Sequence, residues 1–450
     1  MKFGGTSVAD AAAIRRTVEI VRGRLARKPI VVVSALGGVT SLLLSIAEQA
    51  TNGQEIAAQS HVQELRDRHH ACAHDLLGST VSGAELANEL SVMHDELAAL
   101  AGALTVLGHA TPRSLDAIAA IGEQLSSLIV VAALTCAGID AVHVDARGVI
   151  VTDDHFGKAD PQHEAIAVAA RATLSPPLRA RKVPVLGGFI GATRAGVTTT
   201  LGRGGSDYSA SLVGAALKAE AIEIWTDVDG MLTADPRIIP DAQLIGEIRF
   251  DEASELASFG AKVLHPSTIA PAVHQGIPVF VFNSHRPDGT GTRITFDAPR
   301  RPVTAIAGKI GVTVVKVRSS RMLLAPGTLR SIFEVFERHR TSIDVVATSE
   351  VSVSVTIDDA TRLEALLGDL QPLGDVSVER NRGIIALVGA GLSDTSTAMA
   401  RALSALDGAR VHMVSLSASG INLTLIVDGD QVGPCTRRLH DAFFGRQVAA

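Results

Sequence analysis

The chain has 450 residues, a formal net charge of −6, 46% apolar residues and only one Trp and one Tyr. Acids and bases are interspersed, which argues against nucleic acid or an anionic membrane surface as a partner. Cys72, Cys136 and Cys435 are odd in number and far apart, and Lys2 leads into a glycine turn. No disulfide framework and no secretory signal are therefore expected, and a reducing cytoplasm is the compartment implied.

Lys2-Phe3 ends the first expected strand, Gly4-Gly5 turns the chain, and Thr6-Ser7 opens an amphipathic helix. Ile30–Ser34 is a β-branched run that passes through Gly37-Gly38 into a helix from Thr40. Residues 56–107 read as one helical stretch. Pro112 and Ser114 open another helix, whose apolar positions Leu115, Ile118, Ile121, Leu125 and Leu128 follow the helical period until Gly138. Its charge-free part, Gln124–Ile139, is too short and too polar for a bilayer and reads as buried. Strands follow over Ala141–Val144, Val183–Leu186 (into Gly187-Gly188), Ala221–Thr226 and Pro278–Phe282, the last of this half. Strands alternating with helices predict an α/β layered fold.

A polar, turn-rich segment from Asn283 to Pro302 marks a domain boundary. Beyond it the chain repeats. Val312–Val317, a helix over Leu329–His339, Val345–Ala347 and Val351–Val355 form one copy. Ile384–Val388, a helix over Thr397–Leu406, Val411–Leu416 and Ile421–Leu425 form the second. A βαββ unit repeated at about seventy residues predicts two small α+β modules.

Three glycine loops, at Gly4-Gly5, Gly37-Gly38 and Gly202-Arg203-Gly204-Gly205, each follow an expected strand and precede a helix. All three are expected on one edge of a parallel sheet. Freed backbone N–H groups and helix N-termini there suit a polyphosphate, and Lys2 and Arg203 add cationic side chains. The pattern is neither a Walker loop nor the dinucleotide fingerprint. His69, His70, Cys72 and His74 cluster at spacings that can bind a metal, but nothing completes a site. They are read as histidines on a solvated helix face, and Cys136 as buried filler. No protein-held metal is expected.

Several segments then agree with one family. Lys2-Phe3-Gly4-Gly5-Thr6-Ser7-Val8, Leu201-Gly202-Arg203-Gly204-Gly205-Ser206-Asp207-Tyr208, Trp225-Thr226-Asp227-Val228-Asp229-Gly230, Thr233-Ala234-Asp235-Pro236-Arg237 and Phe259-Gly260-Ala261-Lys262-Val263-Leu264-His265-Pro266 stand in the order of the aspartate kinase motifs. The chain resembles that family, in the amino-acid kinase superfamily, over essentially its whole length. The repeated tail looks like tandem ACT modules, and the layout resembles the monofunctional, lysine-inhibited type, with no homoserine dehydrogenase segment following.

The resemblance implies a three-layer amino-acid kinase fold with a mostly parallel sheet over residues 1–298. It implies a regulatory region over 303–450 with two ferredoxin-like ACT modules, about 306–380 and 381–450, one of them discontinuous if strands are shared. It implies transfer from ATP, with Mg²⁺, to the side-chain carboxylate of L-aspartate. Lys2, Phe3, Gly4, Gly5, Thr226, Asp227, Leu232, Arg237, Lys262 and Val263 fall where the family holds ATP. Thr40, Glu123, Phe189, Arg203 and Ser206 fall where it holds aspartate, and Asp207 matches an acid that orients the phosphate-binding lysines. Lys2, Asp207 and Lys262 are the catalytic set. Met322, Asp344, Thr348, Ser349 and Glu350 fall on the effector pocket, with lysine ahead of threonine as effector. A homodimer or homotetramer through the ACT modules is expected.

Physically, Arg203 can grip a carboxylate in a fork, and Glu123 can receive an ammonium. An acceptor carboxylate is already ionised near neutral pH, so no general base is required. Two rivals stand beside this reading: a kinase with another acidic acceptor, and a silent amino-acid sensor that keeps the fold. The family carries several apolar residues ahead of its first lysine, where Met1 alone precedes Lys2, so a truncated first strand is expected unless the chain starts upstream. Leu232 stands where relatives often have a tyrosine, and Met322–Thr328 departs from the usual Ser/Gly-Phe segment.

Overall fold

The computed structural model describes residues 1–259, 266–320 and 326–445. Lys262, Val263 and Met322 lie outside the described residues. The chain forms two compact units, Met1–Met231 with Val263–Phe296, and Leu232–Lys262 with Asp297–Ala450.

In the first unit the central sheet runs Ala141–His143, Val183–Gly187, Val31–Val33, Lys2–Phe3, Ile222–Thr226 and Val279–Asn283, all parallel to their neighbours. Thr292–Thr295 then adds an antiparallel strand, so Val279–Asn283 is not the last of this half as its sequence suggested. Short as it is, Lys2–Phe3 pairs on both sides, with Val32-Val33 and with Ile224-Trp225. Continuous β-branched runs suit such a sheet because both faces are covered. Val31 and Val33 join the core beneath helices Ala11–Arg22, Val39–Thr51 and Pro112–Cys136, while helix Gly205–Leu217 packs on the other face. Two layers of helices thus enclose one sheet, the amino-acid kinase architecture.

Several local expectations change. Thr6-Ser7 lies in a single 3₁₀ turn, Gly5–Val8, and the first α-helix begins at Ala11, where Asp10 accepts the Ala13 N–H at 2.8 Å. The stretch 56–107 is two helices, Glu55–Leu77 and Val81–Leu107. Gly78, at φ 59°, ends the first, and Thr80 caps the second through the Gly83 N–H. His69 and Cys72 do not lie on a solvated face: both are buried, and the second helix folds back to set the His94 ring 5.2 Å from that of His69. Cys136 is exposed, being the last residue of its helix. Thr198–Thr200 belongs to a separate three-stranded sheet with Ile190–Thr193 and Val151–Thr152, so the third glycine loop does not leave the parallel sheet. Val81–Leu107 and Pro112–Cys136 are long and apolar enough to cross a membrane, but Pro112–Cys136 is mostly buried in this core.

The second unit contains one antiparallel sheet, ordered Val346–Ser349, Ser352–Ile357, Ala305–Arg318, Asp375–Val388, Asn422–Asp428, Val411–Leu416. Its two long central strands are irregular between Ile310 and Val314 and serve both halves. The half past the irregularity packs Val315, Val317 and Val355 with Ile332, Phe336 and Leu366. The other packs Ile306, Leu387 and Leu425 with Ala402, Cys435 and Leu439. Each copy of the repeat therefore has its own core, and the second borrows strand Ala305–Ile310 from ahead of the first. Helix Phe250–Ser258 joins this unit through Glu252, fully buried, which accepts from Thr304 Oγ1 at 2.8 Å and the Ala390 N–H at 2.7 Å.

Candidate active site

Four chain turns and one helix meet at the C-terminal edge of the parallel sheet. Lys2 lies in the two-residue first strand, and the Gly4 N–H donates to Trp225 O at 3.0 Å, tying the turn to the neighbouring strand. A Cβ on Gly5 would meet Ala35 O at 3.2 Å, so glycine allows the first two turns to touch. Gly38 (φ 83°) and Gly204 (φ 72°) precede helices Val39–Thr51 and Gly205–Leu217, and neither helix has a side-chain cap. The Val39 and Gly205 N–H groups donate to Leu36 O and Gly202 O, at 2.9 and 3.0 Å, and the N–H groups that follow in each first turn are left for water or an anion. From the fourth turn comes Phe189, at φ 66°, whose N–H is held by Ser209 Oγ at 3.0 Å.

Lys2, Gly5 and Thr40 line one pocket together with Glu123, Phe189, Arg203, Ser206 and Asp207. All five residues expected at aspartate are there, along with both described members of the expected catalytic set. Lys2 Nζ stands 2.8 Å from Asp207 Oδ1, with both side chains largely buried. The carboxylate holds the ammonium at the pocket wall.

Glu123 is the most perturbed group in this pocket. It is 3% exposed, and its Oε2 has no partner among the described residues. Burial pushes its carboxyl up to about 8, with N–H groups of Ala35 and of Glu123 itself pulling weakly the other way. Helix Pro112–Cys136 can bring it this close to the sheet because Gly187 has no side chain: a Cβ there would lie 3.0 Å from Glu123 Cβ. A buried acid with an orphaned oxygen, facing open space, is arranged to receive a cation.

Other expected residues fall outside this pocket. Phe3 is fully buried and stacks on Trp225, so only its backbone reaches the sheet edge. Thr226 ends the neighbouring strand and Asp227 follows it at the same edge, and Thr226 Oγ1 donates to Asp227 Oδ1 at 3.2 Å. Leu232 and Arg237 belong to the second unit, where Asp235 holds the Arg237 guanidinium in a fork at 2.6–3.1 Å. In the tail, Asp344 is half-buried, 3.9 Å from Lys309, which also pairs with Asp358. Burial raises the Asp344 carboxyl to about 6; Lys309 opposes that and Asp358 adds to it. Thr348 and Ser349 lie exposed on the edge strand, and Glu350 follows in the turn.

A model of the amino acid kinase family matches residues 1–283, and an ACT domain model matches residues 385–443. The lysine-sensitive aspartokinase 3 of Escherichia coli (strain K12) is 36% identical over 98% of each chain. The chain belongs to the aspartokinases. Aspartokinase 3, chloroplastic, of Arabidopsis thaliana is 37% identical over 99% of this chain and 81% of its own length. Among solved structures, Escherichia coli aspartokinase III with aspartate and ADP superposes with a TM-score of 0.84 at 36% identity, covering 98% of this chain and 99% of that one. The same enzyme with lysine and aspartate gives 0.83, covering 98% of both.

Within this aspartokinase framework, two residues around the pocket were not read from the sequence. Ser209 braces Phe189, and Asp116 lies beneath the third glycine loop. Asp116 had one available signal: it precedes Glu123 by seven residues on a helix, hence on the same face.

Proposed function

We propose that the protein transfers the γ-phosphoryl group of Mg·ATP to the side-chain carboxylate of L-aspartate, giving 4-phospho-L-aspartate, and is inhibited by an end-product amino acid, lysine first. This would be the opening step of lysine, threonine and methionine biosynthesis, in the cytoplasm. The observation that carries the reading is the orphaned Glu123 carboxyl in the pocket that also holds Arg203 and the Lys2–Asp207 pair. Glu123 takes the substrate ammonium and Arg203 its α-carboxylate, which directs the side chain towards Lys2. N-acetylglutamate has no ammonium and would leave Glu123 buried without a partner, which disfavours it as acceptor.

The uncapped starts of helices Val39–Thr51 and Gly205–Leu217, with the Gly4-Gly5 turn, fit the phosphates of ATP. Among the described residues no group of three or more His, Cys, Asp or Glu could cage a metal. Mg²⁺ would therefore come with ATP, where it offsets phosphate charge. Lys2, fixed by Asp207, stabilises charge on the transferring group, and because it is already in place it needs little reorganisation during reaction. Thr40, Phe189 and Ser206 shape the acceptor side, while Thr226 and Asp227 stand by the nucleotide. Leu232, Arg237, Lys262 and Val263 are assigned to the nucleotide by family likeness alone. Val346, Val414 and Leu416, exposed on the outer strands Val346–Ser349 and Val411–Leu416, support self-association through the tail.

The test is turnover with Mg·ATP and a panel of acceptors, trapping acyl phosphate with hydroxylamine. Aspartate should give the hydroxamate fastest. Equal or faster trapping with glutamate or N-acetylglutamate, or no turnover with any, would overturn the proposal.

A further inference from the structure

Asp116 is 2% exposed, and its two carboxylate oxygens accept from two separate loops. The Gly157 N–H is shared between them, at 3.0 and 2.9 Å. The Thr200 N–H reaches Oδ2 at 3.0 Å, and Thr200 Oγ1 donates to Oδ1 at 2.7 Å. Thr200 is the last residue before Leu201-Gly202-Arg203, and Gly157 sits in the loop that packs on that turn. The Ala159 N–H donates to Thr200 O at 2.8 Å, and a Cβ on Gly202 would lie 3.2 Å from Lys158 Cγ. Gly157 and Gly202 both have positive φ, 86° and 74°, so the two loops meet at their tightest bends.

The helix links this clamp to the substrate. Seven residues at about 100° each return to the same face, so Asp116 and Glu123 project from one stripe of Pro112–Cys136, about 10 Å apart along its axis. One rigid element thus carries the ammonium partner and, two turns earlier, the anchor of the loop that carries Arg203. Arg203 itself stands exposed on a turn with glycines on both sides, and so depends on outside contacts for its position.

We propose that Asp116 is a positioning residue for the amino-acid acceptor: by clamping Thr200 and Gly157 it sets the distance between Arg203 and Glu123, and so selects an acceptor with the α-amino and α-carboxylate spacing of an amino acid. This rests on the assignment of Arg203 to the substrate α-carboxylate. The clamp does not touch the Lys2–Asp207 side of the pocket, so its loss should be felt by the acceptor and not by ATP.

The test is steady-state kinetics on the full chain with Asp116→Asn, Thr200→Val, Arg203→Ala and the double variant Asp116→Asn/Arg203→Ala. A carboxamide offers one acceptor where the carboxylate offers two, so Asp116→Asn should raise KM for aspartate by at least roughly tenfold. KM for ATP and kcat should stay within about threefold of wild type. Thr200→Val, which loses only the hydroxyl donor, should raise KM for aspartate by about threefold, and it decides the matter if Asp116→Asn does not fold. In the Arg203→Ala background Asp116→Asn should add less than about twofold, whereas independent sites would multiply their effects. Multiplicative effects, or parallel rises in both KM values, would overturn the clamp. If Arg203→Ala leaves KM for aspartate unchanged, it is the assignment of Arg203 that fails.

Discussion

Burial raises the folded Glu123 carboxyl to about 8, whereas the same group ionises near 4.5 when exposed. Between those values the folded state holds a proton that the unfolded chain has released, so Glu123 makes stability fall as the pH rises. Glu123→Gln removes that dependence. Its melting temperature, compared with wild type at the same pH, should therefore improve steadily from pH 5 to pH 8 while aspartate turnover is lost. A melting difference that stays flat across this range would show that the buried acid is not held protonated. Lys2, Arg203, Ser206 and Asp207 could be read from the sequence because their motifs are local, while Thr40, Glu123 and Phe189 came from the family resemblance. Their energetics could not, since the orphaned Oε2 depends on Gly187 and Ala35, distant in sequence and brought near by the fold.

At the level of elements, the helix pair Glu55–Leu77 and Val81–Leu107 was the least legible. Its hydrophobic periodicity is weak, and the break at Gly78–Thr80 carries no proline, so His69 was placed on a solvated face with His70 and His74 although the second helix covers it; His74 is exposed as read. His69 and His94 each bond through Nδ1 to the carbonyl four residues earlier, at 2.7 and 2.6 Å, and both Nε2 atoms are buried without a partner among the described residues. Burial lowers both rings to about 4. Such a lowered base stabilises the fold fully above its unfolded value near 6.5, and that contribution is lost as the pH falls towards 4. His94→Leu should move the acid-unfolding midpoint, followed by circular dichroism, to lower pH. An unchanged midpoint would mean that acid opens the protein elsewhere. The glycine turns of the parallel sheet were legible because a β-branched run ending in Gly-Gly has few other readings. The loop at Gly202 was assigned to the wrong sheet, because its short threonine strand pairs antiparallel with a partner the sequence does not mark.

For the molecule as a whole, the repeat in the tail was visible as matched alternation, while the borrowing of Ala305–Ile310 was not, since strand exchange leaves no local pattern. In the first copy Asp344 already has Lys309 nearby, so an effector ammonium must compete with a resident one. Asp344→Ala should raise the inhibitory lysine concentration by at least roughly tenfold, the loss expected from one charge-assisted contact. With the Asp344 carboxyl at about 6, the wild-type enzyme should also need more lysine at pH 5.5 than at pH 7.5, because protonation removes the negative partner. Inhibition unchanged in both comparisons would place the effector elsewhere.

The reading of the pocket stands most directly on what happens to the Glu123 proton when aspartate binds. Titrating L-aspartate calorimetrically at pH 7, with a non-hydrolysable ATP analogue present, in two buffers of different ionisation enthalpy counts the protons exchanged. With Glu123 near 8, roughly nine in ten free molecules carry the proton at pH 7, and pairing with an ammonium requires the ionised form. Binding should release about 0.9 proton per aspartate in the wild type and none in Glu123→Gln, which should also bind more weakly. Equal affinity in the two proteins, with no proton released by either, would contradict the assignment of Glu123 to the substrate ammonium.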